Sequence, residues 1–146
     1  MTEFFAFYGS LRRDAVDAMA PGKTDLAAYR GACRLAGTLR THGAYPGYFP
    51  SAEAGLAPDR LSGCAIGPAG VVVADLYEVL RPEAFAVFDG WEDYDPANEE
   101  ASPYLRRRVR PIESAFDVWV YVSRQSIDDP LVPNGDWLAF LDPRGC

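Results

Sequence analysis

The 146-residue chain is 49% hydrophobic and 24% charged, a balance that builds a packed core and excludes a disordered chain, and no run of about 18 apolar residues offers a membrane span. Its net charge of −7 argues against a nucleic-acid partner, because phosphate binding needs a basic footprint. The length suits one domain over residues 1–146, and the N-terminal stretch MTEFFAFYGS, without a basic region or small-residue cleavage site, leads us to expect a cytoplasmic protein.

In chain order, the aromatic run 4–8 predicts a buried strand that stops at Gly9. The stretch LRRDAVDAMAPGKTDLAAY predicts a short helical or irregular passage broken at Pro21-Gly22. In CRLAGTLRTHGAYPGYFPSAE, weak alternation cut by Gly37, Pro46 and Pro50 predicts a strand running into a long loop. VVVADLYEVL, residues 71–80, is the strongest strand in the chain, β-branched at its start and alternating later. RPEAFAVFDGWEDYD predicts a short helix, with Pro82 and Glu83 in its first turn, Phe85 and Phe88 on one face, and Gly90 ending it. YLRRRVRPI and AFDVWVYVSR alternate like two paired strands, and DWLAFL near the C-terminus predicts a brief helix. Six strands and two or three short helices give an α+β architecture, a small mixed β-barrel with helices on its flank.

Two stretches carry chemistry. A strand that ends at Gly9-Ser10 frees successive backbone N–H groups to point into one concavity that suits a carboxylate or oxyanion; the alternative is an ordinary turn. Arg12 and Arg13 either add positive field there or face water. The second stretch, FDGWEDYD, gathers Asp89, Glu92, Asp93 and Asp95 at a helix C-terminus, where acids oppose the macrodipole. Glu92, between Trp91 and Tyr94, is the acid best placed against aromatic surface, where desolvation raises a carboxyl into the range of a useful base; a solvated acidic turn is the alternative.

The remaining reactive residues are few. Cys33, Cys64 and Cys146 form no C-x-x-C pair and read as inert thiols. His42 is the single histidine, too few for most zinc sites, and its turn-rich setting reads as a solvated loop position. On a strand, Arg106 and Arg108 share one face and Arg107 the other; most of these read as a salt-bridged edge, with Arg106 the one directed at a site. Tyr104 and Tyr121 read either as core-edge tyrosines or as site residues, and Trp119 and Trp137 as core.

Taken in order and spacing, FYGSL, AYPGYF, VVADLYEV, FAVFDGWEDYD, SPYLRRRVRP and DVWVYV resemble the γ-glutamylcyclotransferase-like family, which includes the γ-glutamylamine cyclotransferases and AIG2-like proteins. The resemblance spans roughly residues 4–123. It implies a barrel with a cavity at its mouth, and an enzyme that releases 5-oxoproline from a γ-glutamyl compound by intramolecular attack, with no metal and no cofactor. It assigns Glu92 as general acid/base and Tyr8, Gly9, Ser10 and Leu11 as the loop that holds the glutamyl head. It adds Tyr45 and Pro46 as pocket wall, with Tyr104, Arg106 and Tyr121 as further substrate contacts. The partner implied is a small-molecule γ-glutamyl substrate, with neither nucleic acid nor membrane. Two departures stand out: RRDAV where many relatives carry a glycine, and Ala74-Asp75-Leu76-Tyr77 where G-E-L-Y is usual. They leave room for a noncatalytic small-molecule-binding barrel of the same fold, or for an enzyme of one pathway that removes a γ-glutamyl protecting group.

Overall fold

A computed structural model describes residues 2–13, 23, 25–55 and 57–142. Six strands form one sheet: β1 (Phe4–Phe7), β2 (Ala27–Thr41), β3 (Pro46–Pro50), β4 (Val71–Val79), β5 (Tyr104–Val109) and β6 (Val118–Ser123). Among the described residues, two short helices, α1 (Glu83–Trp91) and α2 (Trp137–Leu141), complete the regular elements apart from single turns of 3-10 helix. The strand order β1-β4-β2-β3-β6 closes on itself because β6 also pairs with β1, and β5 adds to the outside of β6. The pairs β1–β6 and β3–β6 are parallel and the others antiparallel. This is the mixed barrel expected from the sequence.

The unbroken apolar run of β1 is explained by burial on both faces. Ala6 points to the cluster inside the barrel with Leu35, Leu39, Val72 and Val120. Phe5 and Phe7 point the other way, into a second cluster shared with Ala84 and Phe88 of α1. Successive strand residues face opposite sides, so a strand with cover on both must be apolar throughout. Phe88 packs edge-on against both phenylalanines at 5.4 and 5.0 Å, and burying one such ring contributes about 1.5–3 kcal/mol. α1 is thereby fixed against β1, and its C-terminal end against the loop that follows β1.

Two expectations are corrected. The stretch Pro46–Pro50 is not a loop but β3, all five residues buried, pairing Thr38↔Phe49 and Leu39↔Tyr48 with β2. Its prolines occupy the first and last strand positions, where a missing N–H costs the ladder least. The strand before it is also longer than the sequence suggests. β2 passes through Gly31 (φ 110) at a register shift and through Gly37 (φ 143), and so pairs first with β4 and then with β3. At Gly37 a Cβ would lie 2.3 Å from the Phe49 carbonyl oxygen, so this corner admits only glycine. The helix α1 runs one residue past Gly90, and the left-handed residue that follows its end is Asp93 (φ 55).

The paired strands late in the chain match the alternation pattern, with Arg106↔Tyr121 and Arg108↔Trp119 in register. The last helix is capped by Asp136, whose side chain accepts from the Ala139 amide, and it buries Trp137. Trp119 is half-buried, a rim residue whose indole donates to Glu3 at 2.9 Å. Most of the passage expected to be helical or irregular, residues 14–22, lies outside the described residues, as does Cys146. Burial pushes the Cys33 thiol up to about 12, which keeps it protonated and inert. Among the described residues no helix is long and apolar enough to cross a membrane.

Candidate active site

The loop after β1, the start of β3, the end of α1 and the buried tyrosines Tyr104 of β5 and Tyr121 of β6 converge on a cavity of about 350 Å³. Tyr8, Gly9, Ser10, Leu11, Tyr45, Pro46, Glu92, Tyr104 and Tyr121 all line it. Residues more than a hundred positions apart in sequence thus share one wall.

One side of the cavity offers donors. Where β1 ends, the backbone turns, and among the described residues no acceptor takes up the amides of Gly9, Ser10 and Leu11. Their neighbours fix the loop. The Arg12 amide donates to the Gly9 carbonyl (3.0 Å) and the Arg13 amide to the buried Asp75 carboxylate (2.8 Å). The Arg12 guanidinium spans Asp75 and Asp136 at 3.3 and 2.9 Å. The two arginines therefore anchor the loop rather than reach into the cavity; the Arg13 guanidinium lies over the Tyr29 ring. Ser10 Oγ accepts the Trp91 indole N–H (2.9 Å), which leaves the hydroxyl proton of Ser10 available to a ligand. Gly9 is required for space and not for a left-handed backbone: a Cβ there would meet Pro46 Cγ at 2.9 Å.

The other side offers acceptors. Glu92 follows the last residue of α1, and its amide closes on the Phe88 carbonyl. Its carboxylate receives no hydrogen bond from any described residue. Burial, with the neighbouring Asp93 charge adding to it, pushes this carboxyl from its ordinary range up to about 8. Around it stand three phenols, each with its proton already spent. Tyr8 donates to the Tyr121 carbonyl (2.6 Å), Tyr104 to the Pro46 carbonyl (2.6 Å) and Tyr121 to Asp89 (2.7 Å). Burial raises all three above their usual range and the Glu92 charge adds to each. Toward a ligand these phenols can only accept.

Arg106 does not line the cavity. Its guanidinium pairs with Asp89 at 3.1 Å and lies over the rings of Phe85 and Trp119 at 4.8 and 5.2 Å. It supports the site from behind, holding the carboxylate that holds Tyr121. Arg107 turns to the opposite face and pairs with Glu99 at 2.8 Å, as strand alternation requires.

Several contributors escape sequence reasoning. Trp91, Asp93 and Gly90 complete the lining at the end of α1, and the bond from Trp91 to Ser10 crosses 81 residues, beyond the reach of any local pattern. Asp89 reads in sequence as one acid among four; its burial beside Arg106 sets it apart. His42 is corrected outright. Its side chain is only 4% exposed, with Nδ1 against Asp129 (2.6 Å) and Nε2 against Ser123 Oγ (2.9 Å), because Gly47 leaves room for the imidazole.

Comparison with solved structures places the fold among known ones. The chain is similar to a mouse (Mus musculus) AIG2-like protein at 19% identity, with 99% of this chain and 92% of that one covered and a TM-score of 0.61. It is similar to an uncharacterized protein from Pyrococcus horikoshii at 14% identity, covering 92% and 89%, TM-score 0.60. A uropathogenic E. coli-specific protein gives 13% identity, coverage of 96% and 95%, and a TM-score of 0.62. No curated protein matches the sequence. The family model described as "Gamma-glutamyl cyclotransferase, AIG2-like" matches residues 5–139, nearly the whole chain, and the protein therefore belongs to that family.

Proposed function

We propose that this protein is a γ-glutamylcyclotransferase-type enzyme that converts a γ-glutamyl amine or amide into 5-oxoproline and a free amine. The observation that carries the reading is the division of the cavity into unpaired donors and unpaired acceptors. The amides of Gly9, Ser10 and Leu11 and the carboxylate of Glu92, none with a partner among the described residues, belong to residues that line one cavity together with Tyr8, Tyr104 and Tyr121. An α-amino acid head fits such a division, its carboxylate to the amides and its ammonium to the acceptors.

The chemistry follows from that placement. The α-amine of the glutamyl group attacks its own γ-carbonyl carbon, and the five-membered ring closes as the C–N bond to the leaving amine breaks. Because the nucleophile is tethered, holding the chain in the attacking conformation supplies much of the rate. Glu92 takes a proton from the ammonium and returns it to the departing nitrogen as the C–N bond breaks. The second proton, shed by the ring nitrogen on closure, passes to the Glu92 carboxylate and on to the released amine, which leaves as an ammonium. The Gly9–Leu11 amides bind the substrate carboxylate or the developing oxyanion. Arg106 acts through Asp89 and Tyr121 as a positioning residue.

The test is a panel of γ-glutamyl amines and dipeptides assayed for 5-oxoproline. Release by the wild type supports the reading. If no γ-glutamyl compound reacts while an unreactive glutamyl analogue binds, the noncatalytic barrel replaces it.

A further inference from the structure

The loop that carries the Gly9–Leu11 amides is held from behind by residues distant in sequence. Asp75 stands on β4 directly across from Phe7, the last residue of β1. Its Oδ2 accepts from both the Arg13 amide and the Arg12 guanidinium, at 2.8 and 3.3 Å. The other arm of Arg12 donates to Asp136 Oδ1 at 2.9 Å, a pairing across 124 residues of sequence. The same Asp136 oxygen accepts the Ala139 amide and so caps α2. The side chains of Arg12, Asp75 and Asp136 are only 11%, 7% and 30% exposed.

Both carboxylates have fixed positions. Asp75 is at the middle of the nine-residue strand β4. Asp136 lies between Gly135, where a Cβ would come 2.1 Å from the Val71 carbonyl oxygen, and Trp137, which is buried in the barrel core. Neither neighbour shifts without breaking close packing. Arg12 joins these fixed points to the loop, because its own amide closes the turn onto the Gly9 carbonyl at 3.0 Å. Desolvation offsets most of what a buried ion pair contributes to stability. What a guanidinium held by two carboxylates adds is direction, since its donors form a rigid planar fork. Arg12 is outside the cavity lining, and its charge is matched by two acids, so it does not act by attracting substrate.

We propose that Arg12 is a positioning residue for the substrate: with Asp75 and Asp136 it sets the direction of the Gly9–Leu11 amides toward the glutamyl carboxylate, which makes the start of α2 part of the support of the site. This rests on the cyclotransferase reading. Arg12 touches no reacting atom; its effect passes through the loop backbone to the amides.

The experiment measures KM and kcat for 5-oxoproline release, together with the Kd of L-glutamate, which carries the same α-amino acid head and no leaving amine. Arg12→Met raises KM and Kd by about tenfold, the size of one weakened bond to a charged group, while kcat stays within about threefold because Glu92 is untouched. That variant leaves a buried carboxylate without its cation, so it is also made together with Asp75→Asn, whose side-chain oxygen still accepts the Arg13 amide, and the same rise is expected. Asp136→Asn keeps the cap, since Asn serves there as well as Asp, and gives up the charge: Tm holds while KM rises about threefold, within the range of a partly exposed ion pair. Arg12→Met combined with Asp136→Asn is no worse than Arg12→Met alone, since both cut one link. A loop loosened in general would instead lose kcat and Tm together and multiply the two factors. KM and Kd within about twofold of wild type in folded Arg12→Met/Asp75→Asn, or factors that multiply when Arg12→Met and Asp136→Asn are combined, overturn this inference and leave the cyclotransferase reading standing. If no compound of the panel releases 5-oxoproline while L-glutamate binds with the Kd shifts given, the catalytic reading falls and the positioning role stands. If the wild type neither releases 5-oxoproline nor binds L-glutamate, both are overturned together.

Discussion

The molecule holds two constellations of catalytic-looking residues, and they differ in what their polar atoms are doing. Ser123, His42 and Asp129 have the residue types and contacts of a nucleophilic triad, yet Ser123 is fully buried and its Oγ already accepts the Gln125 amide at 3.0 Å. Its proton goes to His42 Nε2, which leaves Nδ1–H to donate to Asp129. The serine hydroxyl and both imidazole nitrogens are spent. In the cavity the reverse holds: the Gly9–Leu11 amides and the Glu92 carboxylate have no protein partner among the described residues. Buried polar groups are usually paired within the protein, so the spent set reads as a structural strut, while the unspent groups at the cavity wall are the ones the proposed substrate would pair with.

The largest effect that sharpens this contrast is expected at Glu92. Glu92→Gln keeps the shape and removes the base, so turnover falls by about 10² to 10⁴ while the fold and binding of an unreactive analogue persist. Initial rates of 5-oxoproline release check it, with Asp93→Asn, which spares the base itself, falling far less. A near wild-type rate in Glu92→Gln breaks the comparison, because the free carboxylate would then have no proton to move.

Next in size is the pH dependence. With its carboxyl at about 8, the base loses about tenfold in its active form for each pH unit below that value. kcat/KM should fall with an acid limb near 8, and the limb should be missing from the residual activity of Glu92→Gln. The same shift appears in stability without substrate. The folded value is raised above the unfolded one of about 4.3, so the stabilising contribution is fully present below about 4.3 and lost as pH rises through about 8. The wild-type Tm, measured relative to Glu92→Gln, should therefore decline between pH 5 and 9. An acid limb near the ordinary carboxyl range marks a carboxylate that water solvates freely and rules out Glu92 as a desolvated base.

Gly9→Val comes third. The added Cβ meets Pro46 Cγ at 2.9 Å, and a proline ring packed in β3 yields little, so stability drops by about 1–3 kcal/mol, the usual range for overpacking. The displaced amides should raise KM for the γ-glutamyl substrate by about tenfold, the equivalent of one weakened hydrogen-bond pair to a charged group. Unchanged KM in a folded variant shows that the loop is not the cradle.

How much of this was legible in the sequence depends on the range of the interaction. β1, β4, β5 and β6 read correctly because strand alternation and an apolar run are local signals, and the family pattern brought together residues that share the cavity lining. β3 was obscured because Pro46, Gly47 and Pro50 are turn residues by local chemistry, and only pairing with β2 and β6 makes them a strand. Arg106 matched a pattern, but its direction was set by Asp89 and three rings. Glycine is the usual terminator and so points to Gly90 as the end of α1; the left-handed residue is Asp93, a choice that propensity disfavours. The burial of His42 depends on partners 81 and 87 residues away.

The smallest catalytic effect is expected at that histidine, and it tests the other half of the contrast. His42→Ala removes the one group that joins Ser123 to Asp129, leaving the fully buried Ser123 hydroxyl without an acceptor for its proton and a cavity beside Gly47, where the imidazole now packs. An unsatisfied buried polar group costs about 1–3 kcal/mol, and each kcal/mol lowers Tm by roughly 2–4 °C in a domain of this size. Thermal unfolding should therefore shift by several degrees. The catalytic constants should not follow. His42 lies outside the cavity lining, so at a temperature where the variant is folded kcat should remain within about threefold of wild type, an allowance of less than 1 kcal/mol for disturbance passed through Tyr45 and Pro46. A kcat loss near that of Glu92→Gln in a folded His42→Ala protein would mean that the paired constellation also moves protons during turnover, and the distinction between spent and unspent groups would no longer locate the chemistry.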